Sequence, residues 1–338
     1  MTRSLTNTLM IALTGLGSAA ACSGDAQDPN TPGAGAAGKA GSTAGTGATS
    51  GASGEASSGT LRGECDIGAR VGRFSVEGQS DFGVVQGAVF EGVVPTAIPR
   101  LVSEEGPCRL LERRNLVCTP ACVGSTTCGE DGACIPYPRQ LSVGDVTISG
   151  LTQPTNLSPQ DPGNGYFAPG ADNPPFAVGS EVTLTAEGEG SHVGFELKGF
   201  GSPPLGTKPS WLIESGKSLS VLWENGDPGA RTSVAVELSV DQHGISPLTL
   251  ACEFEDTGTA SIPATVIDGL LDSGVSGFPN GRIFRRTADR VLLDLGCVDL
   301  LVGSPLAADV TVAGVVPCKE TADCPMGEAC NVMQERCE

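Results

Sequence analysis

The chain has 338 residues, of which 20 are basic and 39 are acidic, and its formal net charge is −19. An acidic excess of this size repels nucleic-acid phosphates and gives no attraction to anionic lipid headgroups. We therefore expect no nucleic-acid partner, and any contact with a membrane must come from something other than a basic surface.

The first 21 residues have the layout of a secretory signal peptide. Arg3 gives a basic start, an apolar run from Leu9 to Leu13 follows, and small residues lead up to Ala21. The apolar run is too short for a membrane-spanning helix, which needs about 20 apolar residues. We predict that residues 1–21 direct export and are then removed.

A cysteine follows these small residues, and the run Ser18–Ser23, Ser-Ala-Ala-Ala-Cys-Ser, resembles the lipobox of bacterial lipoproteins. The resemblance implies that Cys22 is acylated and becomes the mature N-terminus. Two or three acyl chains hold a protein on a bilayer, because each buried methylene contributes about 0.8 kcal/mol. Ser23 in place of Asp implies the outer membrane, at its periplasmic face or the cell surface. The alternative is an ordinary signal peptide followed by an unmodified cysteine.

Residues 22–60, after the predicted cleavage point, consist mainly of Gly, Ala, Ser and Thr, with almost no large apolar side chain. Such a segment cannot bury enough apolar surface to offset the entropy lost on ordering. It is therefore predicted to be a disordered, flexible tether between the lipid and the folded part of the chain.

Short runs of alternating apolar and polar residues fill most of the remaining sequence. They begin in an N-terminal β region, residues 61–117, and become regular over residues 140–316, as in Val182, Leu184 and Ala186. Alternation at period two is typical of antiparallel strands with one buried face. Turn residues separate the runs, so we predict a mostly β protein built as an antiparallel β-sandwich.

One interruption of this pattern predicts a short helix. Pro263 suits the first helical position, Ile267, Leu270 and Leu271 follow with the spacing of one helix face, and Gly274 suits the end. We expect this helix to lie across an edge of the sandwich.

Twelve cysteines remain after Cys22, and behind a signal peptide they predict disulfides, because the envelope is an oxidising compartment. They are expected to close in three groups: Cys65 with the five from Cys108 to Cys134, Cys252 with Cys297, and the last four among themselves. Any four cysteines allow three pairings. Within the dense clusters we favour alternate pairing: Cys118 with Cys128, Cys122 with Cys134, Cys318 with Cys330, and Cys324 with Cys337.

The two dense clusters define small disulfide-rich modules, residues 118–139 and residues 317–338. The second, with Asp323-Cys324-Pro325 and Gly327, resembles the start of Dickkopf-type and EGF-like repeats. Similar knots occur in surface lipoproteins of myxobacteria, whose flanking sequences resemble residues 108–115 and 136–138 here. The resemblance implies no activity. Because its four cysteines are self-sufficient, the C-terminal module is expected to be separable.

Metal chemistry has little support in the sequence. The cysteine clusters contain no Cys-x2-Cys pair, which argues against zinc, and no cofactor is expected. Weak calcium candidates are Asp227, Glu255 and Asp256, although no Asp-x-Asp-x-Asp loop is present.

Catalysis has equally little support. The chain has two histidines, His192 and His243, and Asp241 lies near the second, but no Gly-x-Ser-x-Gly elbow accompanies them. We therefore predict no catalytic site. The basic clusters are interpreted as solvated strand faces paired with neighbouring acids; they comprise Arg109, Arg113, Arg114, Arg282, Arg285, Arg286 and Arg290.

These expectations favour a noncatalytic, membrane-anchored lipoprotein of the cell envelope that binds a protein or another envelope ligand. Two alternatives remain open: an envelope hydrolase or its accessory subunit, and a structural surface spacer. A concave pocket joining a histidine to a serine and an acid would favour the hydrolase, whereas an exposed patch without such a site would favour binding.

The lipobox resemblance makes a direct prediction for Cys22. Metabolic labelling with a fatty acid should mark the wild-type protein and leave Cys22→Ser unlabelled, because the acyl chain is attached at that sulfur. A Cys22→Ser protein that still carries label and stays in the membrane fraction would show that the lipobox interpretation is wrong.

Overall fold

The computed structural model describes residues 61–226, 231–240 and 247–338, all of which belong to the unit Ser57–Glu338. The predicted signal peptide, Cys22 and the tether lie outside the described residues, as do Asp227, Asp241 and His243. In the part of the chain that the structure describes, no helix combines the length and apolar character needed to cross a membrane.

Strands dominate the described residues, with one α-helix, α1 (Ala264–Leu271). In chain order the first ten strands are β1 (Arg70–Gly78), β2 (Gly83–Phe90), β3 (Arg100–Glu105), β4 (Cys108–Glu112), β5 (Thr126–Cys128), β6 (Cys134–Pro136), β7 (Gln140–Leu141), β8 (Val146–Ser149), β9 (Thr155–Leu157) and β10 (Tyr166–Ala171). The remaining strands are β11 (Glu181–Glu189), β12 (His192–Phe200), β13 (Ser210–Ile213), β14 (Leu219–Leu222), β15 (Ser233–Ser239), β16 (Leu248–Glu255), β17 (Thr259–Ile262), β18 (Asn280–Leu293), β19 (Gly296–Val312), β20 (Cys330–Asn331) and β21 (Arg336–Cys337).

Eleven strands form one large sheet with the order β10-β2-β1-β19-β18-β15-β16-β4-β3, in which β7 also pairs with β2 and β13 with β19. The hairpin of β18 and β19 is its centre, paired from Gly281 opposite Ala308 to Leu293 opposite Gly296. Most pairs are antiparallel, as predicted, but β1 and β13 run parallel to β19. The sheet unites strands of residues 61–117 with strands of residues 140–316.

The first hydrophobic core lies between this sheet and a four-stranded sheet with the order β12-β11-β8-β9. Phe74 of β1 and Leu300 of β19 pack there with Ile148, Leu184 and Leu197 of the smaller sheet, and all five are buried. Each such side chain contributes about 1.5–3 kcal/mol by leaving water. Two sheets with interdigitating inner faces make a β-sandwich, so the predicted mostly β fold class is confirmed.

A second core forms farther along the same face of the large sheet. Ile283 of β18 and Val236 of β15 pack there with Trp211 of β13, Val221 of β14 and Ile267 of α1. One continuous sheet therefore supports two adjacent cores, which the strand alternation alone did not predict.

Helix α1 lies where the sequence predicts a helix, against β3, β4 and β16. Pro263 precedes the helix as its extended N-cap residue, with φ −63° and ψ 147°, and is not itself helical. Ile267 and Leu270 are buried, and Gly274 has the left-handed φ of +95° that glycine tolerates best.

Six disulfides join the twelve cysteines of the described residues. Four lie within the two modules, and their pairing is the alternate one favoured from the sequence: Cys118–Cys128, Cys122–Cys134, Cys318–Cys330 and Cys324–Cys337. Units this small cannot build a hydrophobic core, so these bridges hold them together.

The other two bridges show that the predicted grouping is wrong for four cysteines. Cys297 pairs with Cys65 and Cys252 pairs with Cys108, so no bridge joins Cys252 to Cys297. Cys108 lies directly opposite Cys252 in the register of β4 and β16. Cys65 shortly precedes β1, whose first residue, Arg70, is the register partner of Cys297. The strand order, rather than distance along the chain, decides these pairs.

The C-terminal module, although its bridges are internal, is hydrogen-bonded to the loop before β18. The amide of Gly277 donates to the carbonyl of Gln334 at 2.8 Å, and Arg336 Nη1 donates to the carbonyl of Val275 at 3.0 Å. A Cβ on Gly277 would lie 1.7 Å from the carbonyl oxygen of Glu335. The close approach of the two backbones at this contact therefore requires glycine.

The interpretation of the basic clusters as solvated is wrong for Arg285 and Arg286, whose side chains are buried. The Arg285 side chain is fully buried. Its Nε and Nη2 donate to the two carboxylate oxygens of Asp256 at 2.7 and 3.0 Å. Nη1 donates to the carbonyls of Pro203 and Pro204, and Nη2 also donates to that of Glu224. The Arg285 guanidinium therefore holds together three loops, those that contain Pro203 and Pro204, Glu224, and Asp256.

This geometry predicts unequal losses of stability at two neighbouring arginines. Arg285→Ala should lower the free energy of unfolding by about 3–5 kcal/mol, because it leaves the Asp256 carboxylate buried without its partner. Arg282→Ala is the control, since Arg282 pairs with Glu237 at the surface, and it should cost less than about 1 kcal/mol. Urea unfolding followed by tryptophan fluorescence measures both. Equal losses would contradict the role given to Arg285.

Candidate binding cleft

The two faces of the large sheet differ in character. On β1, Phe74 and Val76 point into the first core, so the alternating residues Arg73, Ser75 and Glu77 point to the other side. We call that other side the open face. On the central strands its residues are Arg73, Ser75, Glu77, Gln86, Ala88, Arg282, Phe284, Arg286, Asp299 and Leu301.

A row of side chains crosses four strands of the open face. Register pairs place Phe167 of β10 beside Gln86 of β2, Gln86 beside Ser75 of β1, and Ser75 beside Leu301 of β19. Ser75 and Leu301 are buried among longer neighbours and form the floor of an open cleft. Its volume is about 470 Å³, within the range of roughly 300–1,000 Å³ that is typical of ligand sites.

Asp299 anchors the charged wall of this cleft. Arg73, which lines the cleft, donates from Nε and Nη2 to the two carboxylate oxygens of Asp299 at 2.8 and 2.9 Å. Arg70 Nε and the backbone amide of Cys65 each donate to the same carboxylate at 3.1 Å. Glu64 accepts a further bond from Arg73 Nη2 at 2.5 Å. The Cys65–Cys297 bridge lies beside this cluster and fixes the segment that carries Glu64.

Burial of the Asp299 carboxylate, which is 0% exposed, would by itself raise its pKa. The hydrogen bonds and positive charge of Arg73, with smaller contributions from Arg70 and the Cys65 amide, outweigh burial and lower the pKa of Asp299. The group is therefore held as an anion that orients arginines.

Arg286 belongs to the same charged wall, because its Nη2 and that of Arg73 both contact the Glu64 carboxylate. Its guanidinium lies 5.6 Å from the ring centre of Phe284. Its Nη2 contacts carboxylate oxygens of Glu64 and, at 3.4 Å, of Glu253. The Nε atom is buried and has no hydrogen-bond acceptor among the described residues. This wall therefore contains a donor whose bonding capacity is unused.

The rim of the cleft is polar and accessible, with one aromatic side chain. Arg282 and Glu237 form an exposed ion pair at 2.8 Å, and Gln86 and Gln160 are exposed amides. Phe167 is 45% exposed at the end of the floor row. Donors, acceptors and apolar surface thus surround one floor, which is the composition of a recognition site.

The predicted calcium candidates are not assembled by the described residues. Both oxygens of Asp256 accept hydrogen bonds, from Arg285, from Trp223 Nε1 at 2.7 Å and from Thr232 Oγ1 at 2.7 Å. In this structure the carboxylate is the partner of a buried cation, and its role as a calcium ligand stays a prediction. Asp227, the third candidate beside Asp256 and Glu255, is outside the described residues.

Of the residues considered for catalysis, His192 alone is among the described residues, and it is not part of the cleft. His192 begins β12 at the hairpin with β11, where its register partner is Glu189. His192 does not line the cleft, and His243 and Asp241 are outside the described residues. The close sulfur groups of the two cysteine modules belong to disulfides.

Comparisons with known proteins give little further information. The sequence matches no known family profile, and no curated protein matches it. A solved structure found to be similar is the crystal structure of chicken CNTN1 FN1-FN3 domains, with 9% sequence identity over 63% of this chain and 67% of that chain. The TM-score is 0.17, too low to support an argument from that protein.

Sequence reasoning named none of the cleft residues except Arg282 and Arg286. Arg73, Gln86 and Phe167 come from three strands whose order across the sheet is not readable from one sequence. The sequence does contain the alternating polar residues of β1 and β2, but this alternation predicts only that one face of each strand is exposed to solvent.

Asp299 predicts a pH-dependent stability difference. The pKa of Asp299 is lowered in the folded protein. In the unfolded chain the pKa of an Asp is about 3.9. Its stabilisation is therefore complete above that value and is lost as the pH falls through the folded-state pKa. Asp299→Asn lacks this titration. Relative to wild type, its loss of unfolding free energy should therefore be large at about pH 6 and smaller at about pH 3.

Urea unfolding of both proteins at the two pH values measures this difference. Asp309→Asn, at an exposed carboxylate paired with Lys208, is the control and should show a small deficit at both. A deficit for Asp299→Asn that stays constant with pH would contradict the ionised, arginine-paired state.

Proposed function

We propose that the protein is a noncatalytic, membrane-anchored lipoprotein of the cell envelope, and that it binds its ligand in the cleft of the open face. The observation that carries the binding function is the cleft itself. It combines accessible amides, ordered arginines and an exposed ring on a rigid sheet. Sites built on strands hold their side chains in place, which limits the entropy lost on binding.

The proposed location in the cell envelope rests on the N-terminal sequence and on the disulfides. Cys22 would carry the lipid, and residues 23–60 would separate the binding domain from the outer membrane. Six disulfides in the described residues suit an oxidising compartment outside the cytoplasm. In this proposal the two cysteine modules, similar in spacing to Dickkopf-type and EGF-like repeats, are structural units at the surface of the domain.

The state of the charged groups supports recognition rather than catalysis. A general acid or base works best with a pKa near the operating pH. The pKa of Asp299 is displaced away from that range, and its carboxylate oxygens accept bonds from arginines. Its part in the proposed function is to position Arg73.

Affinity capture from envelope extracts tests this function. The wild-type protein should retain an envelope component that Phe167→Ala retains weakly, because the exposed ring contributes contact area in the cleft. Phe82→Ala is the matched control, since Phe82 is 53% exposed and does not line the cleft. Equal capture by wild type and Phe167→Ala would mean that binding does not use the cleft, and the proposal would fail.

A further inference from the structure

We propose that the ligand of the cleft is a neutral oligosaccharide. This inference rests on the proposed binding function and names the chemical class of ligand for that site. It is carried by the pairing of the charges, the mixture of donors and acceptors and the exposed ring of Phe167 at the rim.

The charges around the cleft are paired within the protein. Arg282 pairs with Glu237, Arg73 with Asp299, and Arg286 with Glu64. A charged ligand would compete with one of these partners and leave a carboxylate or guanidinium uncompensated in a partly buried place. An uncharged ligand leaves each pair intact. The overall charge of −19 further disfavours an anionic polymer.

The lining also offers donors and acceptors together. Gln86 and Gln160 each carry an amide oxygen and an amide nitrogen, although Gln160 Nε2 also donates to the carbonyl of Phe167 at 3.0 Å. Glu77 is a further acceptor in the lining and accepts one bond from Gln79. A hydroxyl group donates one hydrogen bond and accepts others, so a ligand rich in hydroxyls can satisfy both kinds of group. Planar guanidinium, carboxylate and amide groups can each engage two neighbouring hydroxyls.

Arg286 is a second example of a cleft charge that is paired within the protein. Its side chain is 10% exposed, its Nη2 is taken by carboxylates, and its Nε has no acceptor among the described residues. A buried donor without an acceptor is unfavourable. Because Nε is buried, it is not a donor that a ligand in the open cleft contacts; Arg286 contributes to the site as a wall whose charge is already paired.

The apolar part of the cleft fits the other surface of a sugar. Sugar rings have C–H faces that pack on aromatic rings, and Phe167 presents an accessible ring at one end of the floor row. Leu301 at the floor is 3% exposed and adds little apolar surface, so Phe167 is the main apolar contact. Phe167 and its register neighbour Gln86 therefore offer an aromatic ring and an amide side by side.

The test measures binding of the purified full-length protein to three sets of soluble probes. They are neutral oligomers of hexose and N-acetylhexosamine, uronic-acid oligomers of matched length, and unstructured peptides. The inference predicts that a neutral oligomer binds best. Phe167→Ala should weaken this binding at least about tenfold, whereas Phe82→Ala should change it by less than about twofold. Thermal unfolding of both variants should match wild type, because both rings are exposed.

Two outcomes would overturn the inference and separate it from the proposed function. Preferred binding of uronic-acid oligomers or peptides, sensitive to Phe167→Ala, would reject the neutral sugar and keep the cleft as the binding site. No binding of any probe that depends on Phe167 would reject the oligosaccharide, and the capture experiment would then decide whether the cleft binds at all.

Discussion

The pairing of β18 with β19 is the constraint on which the rest of the structure depends. Side chains of this hairpin that point to one face enter both cores, as Leu300 does in the first and Ile283 in the second. Side chains that point to the other face, such as Arg286 and Leu301, belong to the cleft. Because successive residues of a strand alternate between faces, the register that builds the cores also places the cleft residues. A slip of one residue would exchange the two sets.

The hairpin carries buried charges on both faces, Arg285 and Asp289 on the core side and Arg286 and Asp299 on the open face. Arg285 and Asp299 have separate structural roles. Arg285 points to the core side and binds Asp256 together with three loop carbonyls. Asp299 points to the open face and orders Arg70 and Arg73. Buried charges are costly unless they are paired and hydrogen-bonded. On the core side, Arg285 holds the three loops together. On the open face, Asp299 holds Arg70 and Arg73 in place.

Features encoded locally in the sequence were predicted well. Alternation gave the mostly β sandwich, the spacing of Ile267 and Leu270 gave α1, and the spacing within each cysteine cluster gave its internal bridges. These features depend on residues within about ten positions of each other, where periodicity and loop size are informative. The proposed lipid anchor at Cys22 remains a prediction.

Features that depend on strand order were not predictable from one sequence. The Cys65–Cys297 bridge has a separation of 232 residues and follows from β1 running parallel to β19. The burial of Arg285 follows from loops that close over it from elsewhere in the chain, so the sequence showed only a basic run. The cleft was missed for the same reason, since its floor row takes one residue from each of four strands.

We propose that ligand recognition takes place on the open face, beside charges that are paired within the protein. The measurement that tests this most directly is a map of backbone amide chemical shifts during titration with soluble oligosaccharides released from the envelope. We expect the largest chemical-shift changes at Phe167, Gln86 and Arg286 and at their neighbours on the open face. Changes concentrated in the two cysteine modules, or on the four-stranded sheet, would contradict it.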